Sequence, residues 1–251
     1  MFEQYATPLI ERLTGGALQF SPANSKLSKL YKHDEVQQHL QGRKIYSLDL
    51  LSGHTCQFAK LCKSMAMMTE SGLRIEDGEH TEFRCYSASS EARLESTYNR
   101  RAHNTNLLRS CTTEKQMIQL IESSLPFDAG IVRPHSAGDF FSIKYFRAWL
   151  KVFANHPEII FYFYTKCNPY LVKYWNSIEK LPNVSYTASR GGTRDDLIKI
   201  HGLREAVVVA DEAEAESIGL ECDYDDSHAC FPWLQDQSFA LVIHGTQPAK
   251  K

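Results

Sequence analysis

Six short apolar runs, rich in β-branched and aromatic residues, recur along the chain with helix-like segments between them. They restrict the fold more than any other feature. The runs are Lys44 to Leu50, Gly130 to Ser136, Ile159 to Thr165, Val184 to Ser189, Ala206 to Ala210 and Phe239 to His244. Strands that alternate with helices pair in parallel, because each crossover returns the chain to the same end of the sheet. The pattern therefore predicts an α/β fold of βα units around a parallel sheet.

The segments between the runs fit that scheme. Over 143–155, Phe146, Trp149, Leu150 and Phe153 recur at helical spacing, Ser142 stands where a cap belongs, and Pro157 lies just past the end. Helical patterns of lower contrast cover Ser89 to Cys111, Thr113 to Ser123, Pro169 to Glu179, Arg194 to His201 and Glu212 to Leu220. No low-complexity tract or Pro/Gly linker divides the chain. Its 251 residues, 43% hydrophobic, suffice for one full core, and α/β barrels use this length as a single unit.

A formal net charge of -2 leaves no overall basic footprint, so nucleic-acid binding is not indicated. The opening stretch MFEQYATPLIERLTGG interrupts its apolar residues with charged and polar ones, unlike a signal peptide or a membrane span. Seven cysteines, an odd number with no secretory leader, point to a reducing compartment in which thiols act as ligands, nucleophiles or small core residues. The expected location is the cytoplasm, with no membrane partner.

The carboxyl ends of the strands carry the functional signal. The runs lead into SGHTC, HSAGD, TK, SRGG and HGT, and in a parallel barrel all these ends share one face, where side chains converge on a ligand. Any one polar turn is ordinary; repetition at nearly every strand end is not.

Cys56, Cys62 and Cys85, in GHTCQFAKLC and HTEFRC, come after the first run and read as metal ligands. Thiolates are soft donors that select zinc or iron-sulfur clusters. His54, Lys60 and Arg84 surround them, and Ser87 or Ser89 could cap a helix whose free N–H groups face the sulfurs. Zinc would require a Cys-x5-Cys pair, a distant third cysteine and His54 or His80 as fourth ligand. Three cysteines without an obvious fourth suit a 4Fe-4S cluster with one open iron. Cys111 and Cys167 read as core, and Cys222 and Cys230 are ambiguous.

Other candidates have plainer alternatives. Arg190, Gly191 and Gly192 could cradle an anion, with Thr193 and Asp196 capping the next helix, or could simply be a glycine turn. Lys166 could contact a phosphate or carboxylate, or be a solvated rim lysine. His135 could face the barrel or the helix layer. DYDDSHAC is donor-dense but lacks EF-hand spacing, and a polar loop, closing over the barrel mouth if it acts at all, explains it. His244 and Thr246 end the last run near a bound ligand. Arg93, Arg100, Arg101, His103 and Arg109 read as a solvated helix face.

The runs DLLSGHTCQFAKLC, HTEFRCYSAS, HSAGDFFSIKYFRAWL, FYFYTK, TASRGG, HGLREAVVV, DYDDSHA and FALVIHGTQP resemble a phage-encoded gene-product family, of the gene product 88 type, over roughly residues 44 to 248. That resemblance implies a bacteriophage origin and a place in the host cytoplasm. More distantly, the layout resembles the radical S-adenosylmethionine superfamily. This implies a partial parallel (βα)6 barrel over 44–251, with a cysteine-cluster loop, behind a mixed N-terminal extension over 1–43. It also implies a 4Fe-4S cluster on Cys56, Cys62 and Cys85, with Gly138 and Asp139 beside a bound S-adenosylmethionine; the strand-end residues Lys166, Arg190, Gly191 and His244 are the further contacts expected for that cofactor. Cys85 lies 22 intervening residues beyond Cys62, so ligation by all three requires the chain to fold back.

No Ser-His-Asp order, P-loop or dinucleotide fingerprint is present. Two main expectations remain. One is a radical-type enzyme cleaving S-adenosylmethionine, acting on a small-molecule or macromolecular substrate that the residues do not name. The other is a cluster protein whose site is closed by His54, His80, Asp225 or His228 and which serves electron transfer, structure or host interaction. A structural zinc protein is a third.

Overall fold

The computed structural model describes residues 16–245 and 247. Most of the opening stretch MFEQYATPLIERLTGG, and Thr246, lie outside the described residues. In chain order the strands are β1 (Ser21–Pro22), β2 (Lys44–Leu48), β3 (Ser64–Thr69), β4 (Gly72–Asp77), β5 (Ala129–Pro134), β6 (Ile160–Thr165), β7 (Val184–Ser189), β8 (Glu205–Val209) and β9 (Phe239–Val242). All six apolar runs form strands. They pair parallel in the order β2-β5-β6-β7-β8-β9, so neighbours in space are also successive runs in sequence. The reversal of a doubly wound sheet does not occur.

Two features depart from the expected six-strand barrel. β1 pairs antiparallel with β2 and makes a seventh strand. Pro22, which lacks an N–H, is tolerated there because the strand lies at an edge. The edge strands β1 and β9 are not bonded to each other, so the described residues form an open, mostly parallel sheet in a mixed α/β chain and not a closed barrel.

Both faces of the sheet are buried, as parallel pairing demands. In β6, Phe161 and Phe163 point into one core while Tyr162, with Ile160 and Tyr164 at its edge, points into the other. The first core is closed by helix Ile143–Asn155, whose Trp149 is fully buried against Phe153 and Phe161, and by helix Glu114–Ser124. Both helices start at genuine caps: the Ser142 hydroxyl accepts from Tyr145 N, and Thr113 forms a capping box with Gln116. The second core takes Leu27 and Leu30, Val36 and Leu40 from the N-terminal helices, and Ala229, Cys230 and Phe231 from the segment before β9. Ala229 and Cys230 of DYDDSHAC are therefore tucked against the sheet, while its first residues, Asp223 and Tyr224, line a cavity beside β9.

The helix expected over Ser89 to Cys111 is two helices, Tyr86–Arg93 and Glu95–Ser110, broken at an extended Leu94. The bend brings the Arg101 guanidinium 2.8 Å from the buried Glu91 carboxylate. The expected Pro169 to Glu179 helix is likewise split, into Asn168–Lys173 and Trp175–Ile178. No helix among the described residues is long and apolar enough to cross a membrane.

Candidate functional site

The loop leaving β2 turns on Gly53, whose φ of +71° is left-handed and whose position leaves no room for a Cβ beside the Ser64 carbonyl and the Met65 side chain. Its N–H donates to Cys56 Sγ at 3.3 Å. The Lys63 ammonium donates to the carbonyls of Gly53 (2.7 Å) and Cys56 (2.8 Å), so the turn that carries the first cysteine is tied from inside. Thr55 Oγ1 donates to Leu51 O and accepts from Asp139 N at 3.1 Å, joining this loop to the one after β5. Gly138 sits at that junction with φ +82°; a Cβ there would come 2.6 Å from Thr55 Oγ1.

The 22 residues between Cys62 and Cys85 are largely a hairpin. β3 and β4 pair antiparallel from Ser64 opposite Asp77 to Thr69 opposite Gly72, returning the chain to its starting point. Gly78 N then donates to Lys63 O, Glu82 N and Phe83 N to Leu61 O, and Cys85 N to Ser64 Oγ at 3.3 Å. Arg84 pairs with Asp77 across the base of the hairpin. Sequence reasoning missed this element, although alternation at Leu73 and Ile75 beside Glu70-Ser71-Gly72 was a usable signal.

As a result Cys56, Cys62 and Cys85 line one cavity of about 250 Å³ together with Gly138, Asp139, Lys166 and His244. All three cysteines are free and partly buried. Burial pushes the Cys56 thiol well up, and Asp139, Cys85 and Cys62 add to the effect against the single N–H of Gly53. Cys85 is also pushed up, by burial and then by Cys62, while the backbone N–H groups of Ala88 and Ser87 oppose the rise. Cys85 is itself the residue that starts helix Tyr86–Arg93; the expected caps Ser87 and Ser89 lie inside that helix. The helix thus starts upstream of the expected caps, with the Ser87 and Ala88 N–H groups near the Cys85 sulfur but no capping hydrogen bond made to it.

Asp139 is buried and accepts from Thr165 Oγ1 (2.6 Å), Lys166 N (2.8 Å) and Phe140 N (2.8 Å). Burial still raises its carboxyl, with these donors pulling the other way. The buried Lys166 ammonium reaches Ser189 Oγ (2.6 Å) and Arg190 O (2.9 Å), so it is a held charge and not a solvated rim lysine. His244 meets Tyr86 edge to face at 4.3 Å.

The remaining candidates sit elsewhere. Arg190 and Gly191 do not line this cavity: Arg190 pairs with Glu205 at 2.6 Å, and the N–H groups of Gly191 and Gly192 are filled by the Asp195 carboxylate at 2.7 and 3.0 Å. The turn is its own anion cradle, and Gly191 O receives Lys60 N and Leu61 N to brace the cysteine loop. Thr193 caps nothing; helix Asp196–His201 starts at Asp195. His135, at a left-handed φ of 67°, bonds Tyr145 Oη in the helix layer while still touching the cavity. His54 bonds Ala66 O, His80 faces a separate hollow, Asp225 pairs with His33, and His228 pairs with Glu221, so none of the four lines the thiol cavity. Cys111, Cys167 and Cys230 are core residues, and Cys222 is partly buried.

Among the described residues, no group of three or more His, Cys, Asp or Glu side chains is arranged to hold a metal ion. A single zinc demands four donors about 2.3 Å from one point. A cluster asks for a looser set, since each thiolate takes its own iron. The cavity gathers the three thiols with Asp139, His135 and His244 on its wall and without His54 or His80, the residues expected to complete a zinc site. Comparisons with curated proteins and with solved structures find no match. A family model described as Gene product 88 matches residues 17–250, nearly the whole chain, and the protein belongs to that family.

Proposed function

We propose that this chain is an iron-sulfur protein in which Cys56, Cys62 and Cys85 hold a 4Fe-4S cluster at the carboxyl edge of a sheet of radical S-adenosylmethionine type. The observation that carries the reading is the hairpin, which brings Cys85 back beside Cys62 so that three thiols face one cavity. Supporting it, the parallel strands succeed one another in sequence order, the cysteine loop leaves the first of them, and Gly138–Asp139 leaves the second. The two edge strands β1 and β9 also contribute residues to one shared cavity, as they would in a barrel left open.

Held by these three thiols, a 4Fe-4S cluster would supply one-electron chemistry to a ligand in the cavity. The chain's own residues do the rest. Lys63 and the Gly53 turn fix the sulfur geometry. Asp139, held by Thr165 and two backbone N–H groups, sets the loop after β5 beside the thiols. Lys166 places positive charge on the cavity wall for the carboxylate of S-adenosylmethionine, and Tyr86 with His244 offers an aromatic wall.

The test is anaerobic reconstitution followed by iron and sulfide analysis, with about four of each expected per chain. Cys56→Ser, Cys62→Ser and Cys85→Ser should each abolish the brown chromophore. A colourless, sulfide-free wild type ends the cluster reading. If the loaded protein, once reduced, forms no 5′-deoxyadenosine from S-adenosylmethionine, cleavage is wrong and the cluster alone stands.

A further inference from the structure

A second cavity of about 770 Å³ adjoins the thiol cavity, sharing Tyr86, Arg133, Ser136 and His244 with it. Its size suits a small-molecule ligand. Five cations line it, Lys26, Lys29, Arg100, Arg101 and Arg133, against two carboxylates, Asp49 and Asp223. Three of the cations are held internally: Lys26 and Arg133 share Asp226, and Arg101 meets Glu91 and Asp49. The other two are not. Among the described residues the Lys29 ammonium reaches only the Tyr224 carbonyl (3.2 Å) and the Arg100 guanidinium only the Ser21 hydroxyl (3.0 Å), with no carboxylate beside either.

Two further polar atoms in the shared wall, Arg133 Nε and Ser136 Oγ, are buried without a hydrogen-bond partner. Buried donors left unpaired are costly, and both lie where the two cavities meet. Asp223 opposes an anion, and its Oδ2 is also buried without a partner; burial and then Asp226 push its carboxyl up, which weakens that opposition. Serine and asparagine side chains from Ser21, Asn24, Ser25 and Ser47 complete a wall of hydroxyl and amide groups.

We propose that this chamber binds a phosphorylated small molecule, with Lys29 and Arg100 as its principal contacts. The assignment rests on the proposed function only in making that molecule the substrate; binding itself needs no cluster. Arginine, lysine and hydroxyl donors together match phosphate oxygens, which accept from several directions at once.

The experiment is calorimetric titration with pyrophosphate and, separately, citrate, on the wild type, on Lys29→Gln/Arg100→Gln, and on the triple Cys56→Ser/Cys62→Ser/Cys85→Ser variant. Pyrophosphate should bind one per chain, weaken as salt rises, and weaken about tenfold or more in the Lys29/Arg100 variant. Both side chains are exposed, so an unchanged melting curve verifies the fold. Binding should persist in the triple cysteine variant, which separates this proposal from the fate of the cluster. No saturable binding up to about 10 mM, or equal binding by the double variant, overturns it. Citrate binding as tight as pyrophosphate overturns the phosphate assignment.

Discussion

Two buried polar clusters lie against the same sheet, and they are built in opposite ways. Asp226, fully buried, receives Lys26 at 2.7 Å, Arg133 at 2.5 Å, and the hydroxyls of Tyr162 and Tyr164 at 3.0 and 3.2 Å. Burial pushes its carboxyl up, but Arg133 and Lys26 outweigh that and hold it below the usual range. The thiol cavity has no such surplus: Cys56 has one N–H, and Asp139 and the neighbouring sulfurs work against its ionisation. A saturated cluster is finished and serves the fold. The thiol cavity is under-partnered, and its sulfurs are held in place by the loop and hairpin and not by compensating charge.

Variants can break that contrast. In free energy the largest loss should come from Asp226→Ala, which removes the buried carboxylate paired with both Arg133 and Lys26 and should cost about 3–5 kcal/mol in urea unfolding while leaving iron per folded chain unchanged. A loss below about 1 kcal/mol would mean that the cluster is not structural.

Acid comes next. Burial, and then the Arg133 charge, pull the His135 imidazole down to about 3 from an ordinary 6.5. The folded state thus binds fewer protons than the unfolded one between those values, so the stability from this group is complete above pH 6.5 and falls as pH drops toward 3. The fall is about 1.4 kcal/mol per pH unit, roughly 2 kcal/mol by pH 5. Unfolding curves at about pH 7, 6 and 5 test this, and His135→Gln should flatten the profile over that window.

Smaller still, each single Cys→Ser change in metal-free protein should move stability by about 1 kcal/mol or less, because the three thiols are only partly buried, yet abolish iron loading. Arg190→Gln should do least. Its pair with Glu205 is half-exposed, so a change within about 1 kcal/mol and unaltered iron uptake are expected; failed loading would return Arg190 to the site.

The sheet was legible because its strands are buried on both faces and so read as continuous apolar runs; Val184–Ser189 matches residue for residue. Helix Ile143–Asn155 was legible through its apolar stripe and its serine cap. The trio of cysteines was legible as a group, but the means of their meeting was not, since the hairpin strands are short and half-polar. Helix Tyr86–Arg93 begins at a cysteine, which no capping preference anticipates. Asp226 carries no sign of its burial in the sequence, nor Arg101 and Arg133 of their partial burial, because charge normally means surface; the pairing of Arg133 with Asp226 across 93 positions is a tertiary fact with no local trace. Asp195 filling the glycine turn is hidden for a related reason, as nothing local distinguishes a turn that holds its own carboxylate from one that waits for an anion.

Because Cys85 is delivered by a two-stranded ribbon, chain length between the second and third donors is uncoupled from their distance in space. Shortening both strands by one facing pair, such as Thr69 with Gly72, would trim the ribbon's tip and leave its root where it is. The interval could therefore lengthen or shorten in matched steps while the root of the ribbon, where Cys62 and Cys85 sit, stays as it is.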